Sequence, residues 1–66
     1  MRAFFVKDST GWRIATQEQA AKHSHSLTVL NMPVMACDAE LLQRVQLLNP
    51  AADSLLTYRE ILNHGA

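Results

Sequence analysis

The side chains best suited to metal binding or catalysis are three histidines and a single cysteine. His23 and His25 are separated by one residue, whereas Cys37 and His64 follow at long intervals. Zinc accepts such nitrogen and sulfur ligands, but the sequence signatures of zinc sites contain close ligand pairs such as C-x2-C or H-x3-H. Neither spacing occurs in this chain. We therefore expect no bound metal and no other cofactor.

The candidate nucleophiles also lack the partners that catalysis requires. Cys37 comes just before a predicted helix, whose first amide groups favour a reactive thiolate, but the adjacent Asp38 carboxylate disfavours it. Ser24 and Ser26 neighbour histidines without the G-x-S-x-G turn that exposes a catalytic serine. The chain has only two glycines, too few for a glycine-rich phosphate-binding loop. We expect a protein without enzymatic activity.

The run 16–29, TQEQAAKHSHSLTV, resembles the start of a helix-turn-helix DNA-binding motif. In that motif a capped helix of the type T-Q-E-x-x-A is followed by a turn and a recognition helix of the type S-x-x-T-V. The resemblance implies a regulator that binds DNA as a dimer. Six basic residues balance six acidic ones, so the chain attracts phosphates weakly. DNA binding is therefore the alternative hypothesis.

The N-terminal segment 3–16 is predicted to form a β-hairpin, because apolar and polar residues alternate on both sides of a turn. A three-residue loop, 9–11, would place Gly11 in the left-handed conformation of a bulge. With that loop, four apolar residues are predicted to share one face: Phe4, Val6, Trp12 and Ile14. Phe5 would then lie on the outer face, where an exposed aromatic side chain suits a protein contact.

A short helix and a third strand are predicted to follow the hairpin. Thr16 and Gln19 have the spacing of a capping box, which predicts a helix over 17–23. The apolar run 27–32 is partly β-branched and is closed by Pro33, which favours a strand.

The C-terminal region, 38–64, is predicted to be helical with a leucine stripe. Leucines recur every seven residues, as on one stripe of a helix: Leu41, Leu48, Leu55 and Leu62. Pro50 is disfavoured inside a helix, whereas Asn49 and Pro50 together suit a helix start. We therefore predict two helices, about 39–48 and 50–63, or alternatively a single helix kinked at the proline.

The helix ends in this region also have predicted partners. Asp38 is expected to cap the first helix, and His64 and Gly65 are expected to close the second. Together with the hairpin, the short helix and the third strand, these helices predict an α+β fold in a single small domain, 1–66.

The length of 66 residues limits the core that one copy can bury. Chains this small usually need a disulfide, a metal or oligomerisation, and a single cysteine excludes an intramolecular disulfide. We expect a homodimer that also binds an unidentified protein, with these interface residues: Phe5, Leu41, Val45, Leu48, Leu55 and Leu62. No apolar run is long enough for a signal peptide or membrane span, so the expected setting is cytoplasmic and not membrane-bound. Short chains without motifs are typical of accessory proteins of phages and mobile elements.

Overall fold

The computed structural model describes residues 1–36 and 38–64. Within these residues the α+β prediction is confirmed, and a four-stranded mixed sheet is combined with three helices. In chain order the elements are β1 (Ala3–Asp8), β2 (Gly11–Ala15), α1 (Gln17–Lys22), β3 (Ser26–Leu30), α2 (Asp38–Leu48), β4 (Ser54–Thr57) and α3 (Tyr58–His64). The strand order across the sheet is β2-β1-β3-β4. The pairs β1–β2 and β1–β3 are antiparallel, whereas β3 and β4 are parallel and are connected through α2.

The hairpin β1–β2 forms at the predicted position, and Gly11 adopts the expected left-handed conformation with φ +110°. The turn is held by Asp8, whose Oδ1 accepts hydrogen bonds from the backbone N–H of Thr10 at 2.9 Å and from its hydroxyl at 2.6 Å. The Asp8 Oδ2 atom also lies 3.1 Å from Arg13 Nε. The contacts of Asp8 with Thr10 and Arg13 therefore fix the hairpin turn at this end of the sheet.

The predicted pairing register of the hairpin is wrong by one residue, so its side chains were assigned to the wrong faces of the sheet. Lys7 is paired with Trp12 and Phe5 with Ile14, because the ladder extends to Gly11, which pairs with Asp8. A shift of one residue moves each side chain of a strand to the other face. Phe5 therefore shares a face with Trp12 and is only 1% exposed, which corrects its predicted position on the outer face.

The two faces of the sheet are covered unequally. The first, which we call the covered face, carries four residues that form the main core with α2, α3 and Met32: Phe5, Trp12, Leu27 and Val29. Leu56 lies on the same face, is partly buried and packs against this core. The second, which we call the open face, carries Phe4, Val6, Thr28, Leu30 and Leu55. The short helix α1 packs beside this second face against β1, β2 and β3.

The start of α1 is set by the capping box predicted from Thr16 and Gln19. The Gln19 backbone N–H donates to the Thr16 hydroxyl at 3.2 Å, and the Thr16 N–H donates to the Gln19 side-chain oxygen at 3.3 Å. The predicted third strand is also confirmed, as β3. Because β3 occupies 26–30 in the middle of the sheet, the residues that resembled a recognition helix form a strand. The helix-turn-helix resemblance is therefore wrong as a description of structure.

The predicted second C-terminal helix, 50–63, is wrong in its first half. A fourth strand, β4, separates α2 from α3, and it pairs with β3. Asn49 does not begin a helix but ends α2, with φ +46° and its N–H donating to the Val45 carbonyl at 2.9 Å. Asparagine tolerates this left-handed conformation at a helix end. The segment 54–57 therefore forms a strand by pairing with β3, although the leucine spacing is that of a helix.

The helix α3 is capped by Thr57, and its end agrees with the prediction. The Glu60 N–H donates to the Thr57 hydroxyl at 3.2 Å, and the Thr57 N–H donates to the Glu60 carboxylate at 2.9 Å. His64 lies in the last turn of α3, as expected. The predicted roles of Cys37, of the Asp38 side chain and of Gly65 lie outside the described residues.

Candidate interaction surface

The residues predicted to form an interface are distributed over both faces of the sheet. Three of them are buried in the core of the chain itself: Phe5 at 1% exposure, Leu41 at 2% and Val45 at 0%. Leu48 and Leu62 are partly buried. Leu55 differs from all of these, because it lies on β4 and its side chain is 62% exposed.

The leucines spaced seven residues apart therefore do not form one helical stripe. Leu41 and Leu48 belong to α2, Leu62 to α3, and Leu55 to the strand between them. Leu55 is opposite Thr28 in the β3–β4 ladder, so it lies on the open face, away from the helices that carry the other three. Leu55 is the member of the predicted set that is most available to a partner.

The open face contains a shallow groove with a volume of about 460 Å³ between α1 and the strands β3 and β4. Its apolar lining includes Phe4, Leu30 and Leu55, and its polar lining includes Arg2 and Asp53. Phe4 and Leu30 are partly buried, and the Asp53 carboxylate accepts a hydrogen bond from the Ser26 hydroxyl at 3.3 Å. The lining thus combines apolar side chains with one cation and one anion.

The groove is bordered by β4, which is an edge strand of the sheet. Its four residues, Ser-Leu-Leu-Thr, include no charged residue and no proline. Natural edge strands usually carry such residues, because unpaired backbone N–H and C=O groups can pair with another chain. The other edge strand, β2, does carry a charge, Arg13. The two edges of the sheet therefore differ in how readily they accept a further strand.

Charges flank β4 at both ends. Asp53 immediately precedes the strand and has φ +58°, while Arg59 is the second residue of α3. Both residues are exposed. Glu60 follows Arg59 and its carboxylate accepts a hydrogen bond from the Thr57 N–H at 2.9 Å, so the C-terminal end of β4 carries charges of both signs.

Comparisons with protein-family models, curated proteins and solved structures find no match to this chain. A function for the chain must therefore be inferred from its own geometry. No described helix is long and apolar enough to cross a membrane.

A second cluster of polar side chains lies where the end of α2 meets the hairpin and the start of β3. Asn49 Oδ1 accepts hydrogen bonds from Lys7 Nζ at 2.7 Å and from Trp12 Nε1 at 3.4 Å. The His25 ring packs edge-on against the Trp12 indole with centroids 5.2 Å apart, and its Nε2 lies 3.1 Å from the Pro50 carbonyl oxygen. Since a carbonyl oxygen can only accept, Nε2 is the donor.

This cluster, which we call the Asn49 clip, joins three elements rather than presenting reactive groups. Its indole N–H, its ammonium group and one ring nitrogen of His25 each have a partner within the chain. Trp12 itself is only 5% exposed. The arrangement is suited to fixing the C-terminal end of α2 against the sheet.

The structure places the histidines that suggested a metal site at separate positions, His23 and His25 between α1 and β3 and His64 at the end of α3. Within 1–36 and 38–64, no group of three His, Cys, Asp or Glu side chains is arranged to hold a metal ion. Cys37 lies outside these residues. The hydroxyl of Ser26, a candidate nucleophile by its sequence position, donates to Asp53.

The open face is the feature that sequence reasoning missed. The alternation of Leu27 and Val29 with Thr28 and Leu30 could have indicated a strand with two different faces. What it could not indicate is that α1 covers only part of one face, because the helix length alone does not fix where a helix packs. The exposure of Leu55 depends on that incomplete cover.

Proposed function

We propose that this chain is a small protein-interaction module that associates with itself and acts without catalysis, in an accessory role and a cytoplasmic setting. The observation that carries the proposal is the 62% exposure of Leu55 on an uncharged edge strand beside the open face. Soluble proteins usually protect an edge strand with a charge or a proline unless the edge is used for binding, and Leu55 adds an apolar contact to this unprotected edge. The single cysteine, which excludes an intramolecular disulfide, supports the cytoplasmic setting.

The size of the chain supports self-association. A domain of 66 residues buries a smaller fraction of its surface than a larger one, and its core rarely contributes more than about 3–5 kcal/mol. Covering Leu55 and the adjacent groove with a second surface adds apolar burial that one copy lacks. Association then contributes to the stability of the folded state.

The contact surface proposed here lies away from the C-terminal helices that the leucine spacing indicated. Leu41 and Val45 already pack in the core of the chain, so a partner cannot reach them without disrupting that core. Leu55 and the part of the open face that α1 leaves uncovered are available without any rearrangement. The interaction is therefore assigned to β4 and the groove beside it.

A non-catalytic role is supported by the pairing within the Asn49 clip, where the polar groups of Lys7, Trp12 and His25 are already engaged. DNA binding has less support, because the segment that resembled a recognition helix forms strand β3 and the net charge of the chain is zero. A gel shift with duplex DNA at low salt tests this alternative directly, since phosphate binding weakens steeply as salt rises.

The proposal is tested by measuring molar mass with size-exclusion chromatography and light scattering at micromolar concentrations. We expect a species heavier than the 7.4 kDa of one chain. Leu55→Lys should shift the species toward the monomer, because it places a charge on the contact surface. Leu47→Lys is the matched control, because Leu47 is 77% exposed but lies on α2, which packs on the covered face and not on the open face. A well-folded wild-type monomer throughout this range would refute self-association.

A further inference from the structure

We propose that the groove on the open face binds a short free peptide of about four residues, whose ammonium group lies at Asp53 and whose carboxylate lies at Arg2. This ligand site goes beyond the proposed self-association, which uses Leu55 and the edge strand β4. The groove has a volume of about 460 Å³, within the range of about 300–1,000 Å³ that is usual for ligand sites.

The groove is charged at two positions, and the two charges have opposite signs. The charged residues that line it are Arg2 and Asp53, which are exposed and form no ion pair with another described residue. Asp53 Oδ1 accepts a hydrogen bond from the Ser26 hydroxyl at 3.3 Å, which leaves Oδ2 available to an ammonium group. Glu18 and Lys22 of α1 are exposed as well, but they do not line the groove. A ligand that lies in the groove therefore meets one cation and one anion.

The two charges lie near opposite ends of β3. Arg2 precedes the Ala3–Val29 pair of the antiparallel β1–β3 ladder and therefore lies at the C-terminal end of β3. The hydrogen bond with Ser26 places Asp53 at the N-terminal end of the same strand. The five residues of β3 separate these ends by about 13 Å. An extended peptide advances about 3.3–3.6 Å per residue, so about four residues bring its two termini to the two charges.

The middle of the groove combines apolar and hydrogen-bonding side chains. Thr28 lies opposite Phe4 on one neighbouring strand and opposite Leu55 on the other, so a hydroxyl group lies between two apolar side chains. An apolar side chain of the peptide can pack against Phe4 and cover Leu55, which is 62% exposed. The peptide groups of the ligand can pair with the Thr28 hydroxyl and with the amide of Gln17.

The charges at the two ends distinguish a free peptide from other small ligands. The ammonium and carboxylate groups of a single amino acid are attached to one carbon atom, so they cannot reach both Arg2 and Asp53. A fatty acid has a carboxylate for Arg2 but no cation for Asp53. A nucleotide brings phosphate charges that the Asp53 carboxylate repels. A peptide with free termini supplies both charges at the required separation.

The test is an NMR titration of the isotope-labelled chain with the peptide Ala-Leu-Leu-Ala, which has free termini and an apolar middle. Amides of β3, β4 and α1 that line the groove should shift as the peptide is added, whereas amides of α2, which packs on the covered face, should not. The protein concentration is held fixed, because the peptide and a second copy would share Leu55.

Blocked peptides and single substitutions assign the ammonium group to its partner. N-acetylation removes the ammonium charge, and Asp53→Asn removes the carboxylate while keeping a residue that tolerates the φ of +58° at this position. Each change should weaken binding by about two- to fivefold, as for an exposed ion pair. The acetylated peptide should bind wild type and Asp53→Asn equally, because the same contact is already lost.

The carboxylate end is tested in the same way. Amidation of the peptide C-terminus and Arg2→Gln should each weaken binding by about two- to fivefold, and the two losses should not add. Arg59→Gln is the matched control, because Arg59 is also an exposed arginine but lies outside the groove. It should leave the affinity unchanged.

The outcomes separate this site from the proposed self-association. Absence of shifts along the groove, or equal affinity for the free and the doubly blocked peptide, would overturn the site. An acetylation effect of undiminished size in Asp53→Asn would overturn the assigned orientation. A dimer by light scattering that does not bind the peptide overturns this site alone, whereas a folded monomer that binds it supports the site and overturns self-association.

Discussion

The substitution Asn49→Ala tests whether the Asn49 clip holds the C-terminal half of the chain to the sheet. Asn49 has φ +46°, and its side-chain oxygen accepts from Trp12 Nε1 at 3.4 Å and Lys7 Nζ at 2.7 Å. Alanine removes the acceptor and leaves the N–H of a nearly buried indole unpaired, which costs about 1–3 kcal/mol. Alanine tolerates the left-handed conformation less well than asparagine, so the exchange adds part of the roughly 1–2 kcal/mol that this conformation costs a residue with a Cβ. The lost bond from Lys7 adds little, because it is exposed to solvent.

We therefore expect Asn49→Ala to lower the free energy of unfolding by about 1–4 kcal/mol. The core of a chain this small rarely contributes more than about 3–5 kcal/mol, so the urea midpoint of the variant should fall clearly below that of wild type. Asn49→Gly serves as the matched control, because glycine adopts the left-handed conformation freely while lacking the side-chain acceptor. The difference between the two variants isolates the backbone contribution.

The assay is urea unfolding at fixed protein concentration, followed by the fluorescence of Trp12, the single tryptophan of the chain. Fixed concentration is necessary because association makes the apparent stability depend on it. If both variants unfolded at the wild-type midpoint with the wild-type slope, the clip would have no structural role. If Asn49→Gly matched wild type and Asn49→Ala did not, the backbone conformation alone would matter and the bond to Trp12 would contribute nothing.

Three further predictions concern the turn, the core and a helix cap. Hydrogen bonds from Thr10 and the nearby Arg13 lower the pKa of Asp8 from 3.8 to about 2. The ionised Asp8 carboxylate therefore stabilises the fold fully above pH 3.8, and this stabilisation is lost as the pH falls through about 2. The urea midpoints measured at these two pH values should differ less for Asp8→Asn than for wild type. Ile61→Ala should cost about 2–5 kcal/mol, because Ile61 is 0% exposed in the main core; a loss of less than about 1 kcal/mol in urea unfolding would contradict that packing. Thr57→Ala should cost about 1 kcal/mol through the lost cap of α3, and unchanged thermal unfolding would argue against the capping role.

Features that depend on neighbouring residues could be predicted from the sequence. Three such features are the capping box of Thr16 and Gln19, the left-handed Gly11 and the strand predicted over 27–32, which the structure has at Ser26–Leu30. The faces of the hairpin could not be assigned with the same certainty, because extending the ladder to Gly11 moves every side chain to the other face. The predicted position of Phe5 is wrong for that reason alone.

The fourth strand could not be predicted because its cause is remote in the sequence. The segment 54–57 is short, and Leu55 lies seven residues from both Leu48 and Leu62, so the local pattern favours a helix. It becomes a strand by pairing with β3, which lies more than twenty residues earlier. The sequence predicts Leu55 as an interface residue on the assumption of a helix. The role of Leu55 in an interface stays a prediction, which is now made for a residue of strand β4 on the open face rather than for a residue of a helix.

The parallel pairing of β4 with β3 has a kinetic consequence. The first three strands assemble from segments close together in sequence, whereas β4 reaches its place only after α2 has crossed the sheet. Non-local pairing is the slower event, because a long loop must close before the contacts form. Until then the outer edge of β3 is vacant, and at high concentration the β4 segment of another molecule can occupy it. Slow exchange of this strand between copies should therefore accompany refolding, and a mixture of isotope-labelled and unlabelled chains would detect it.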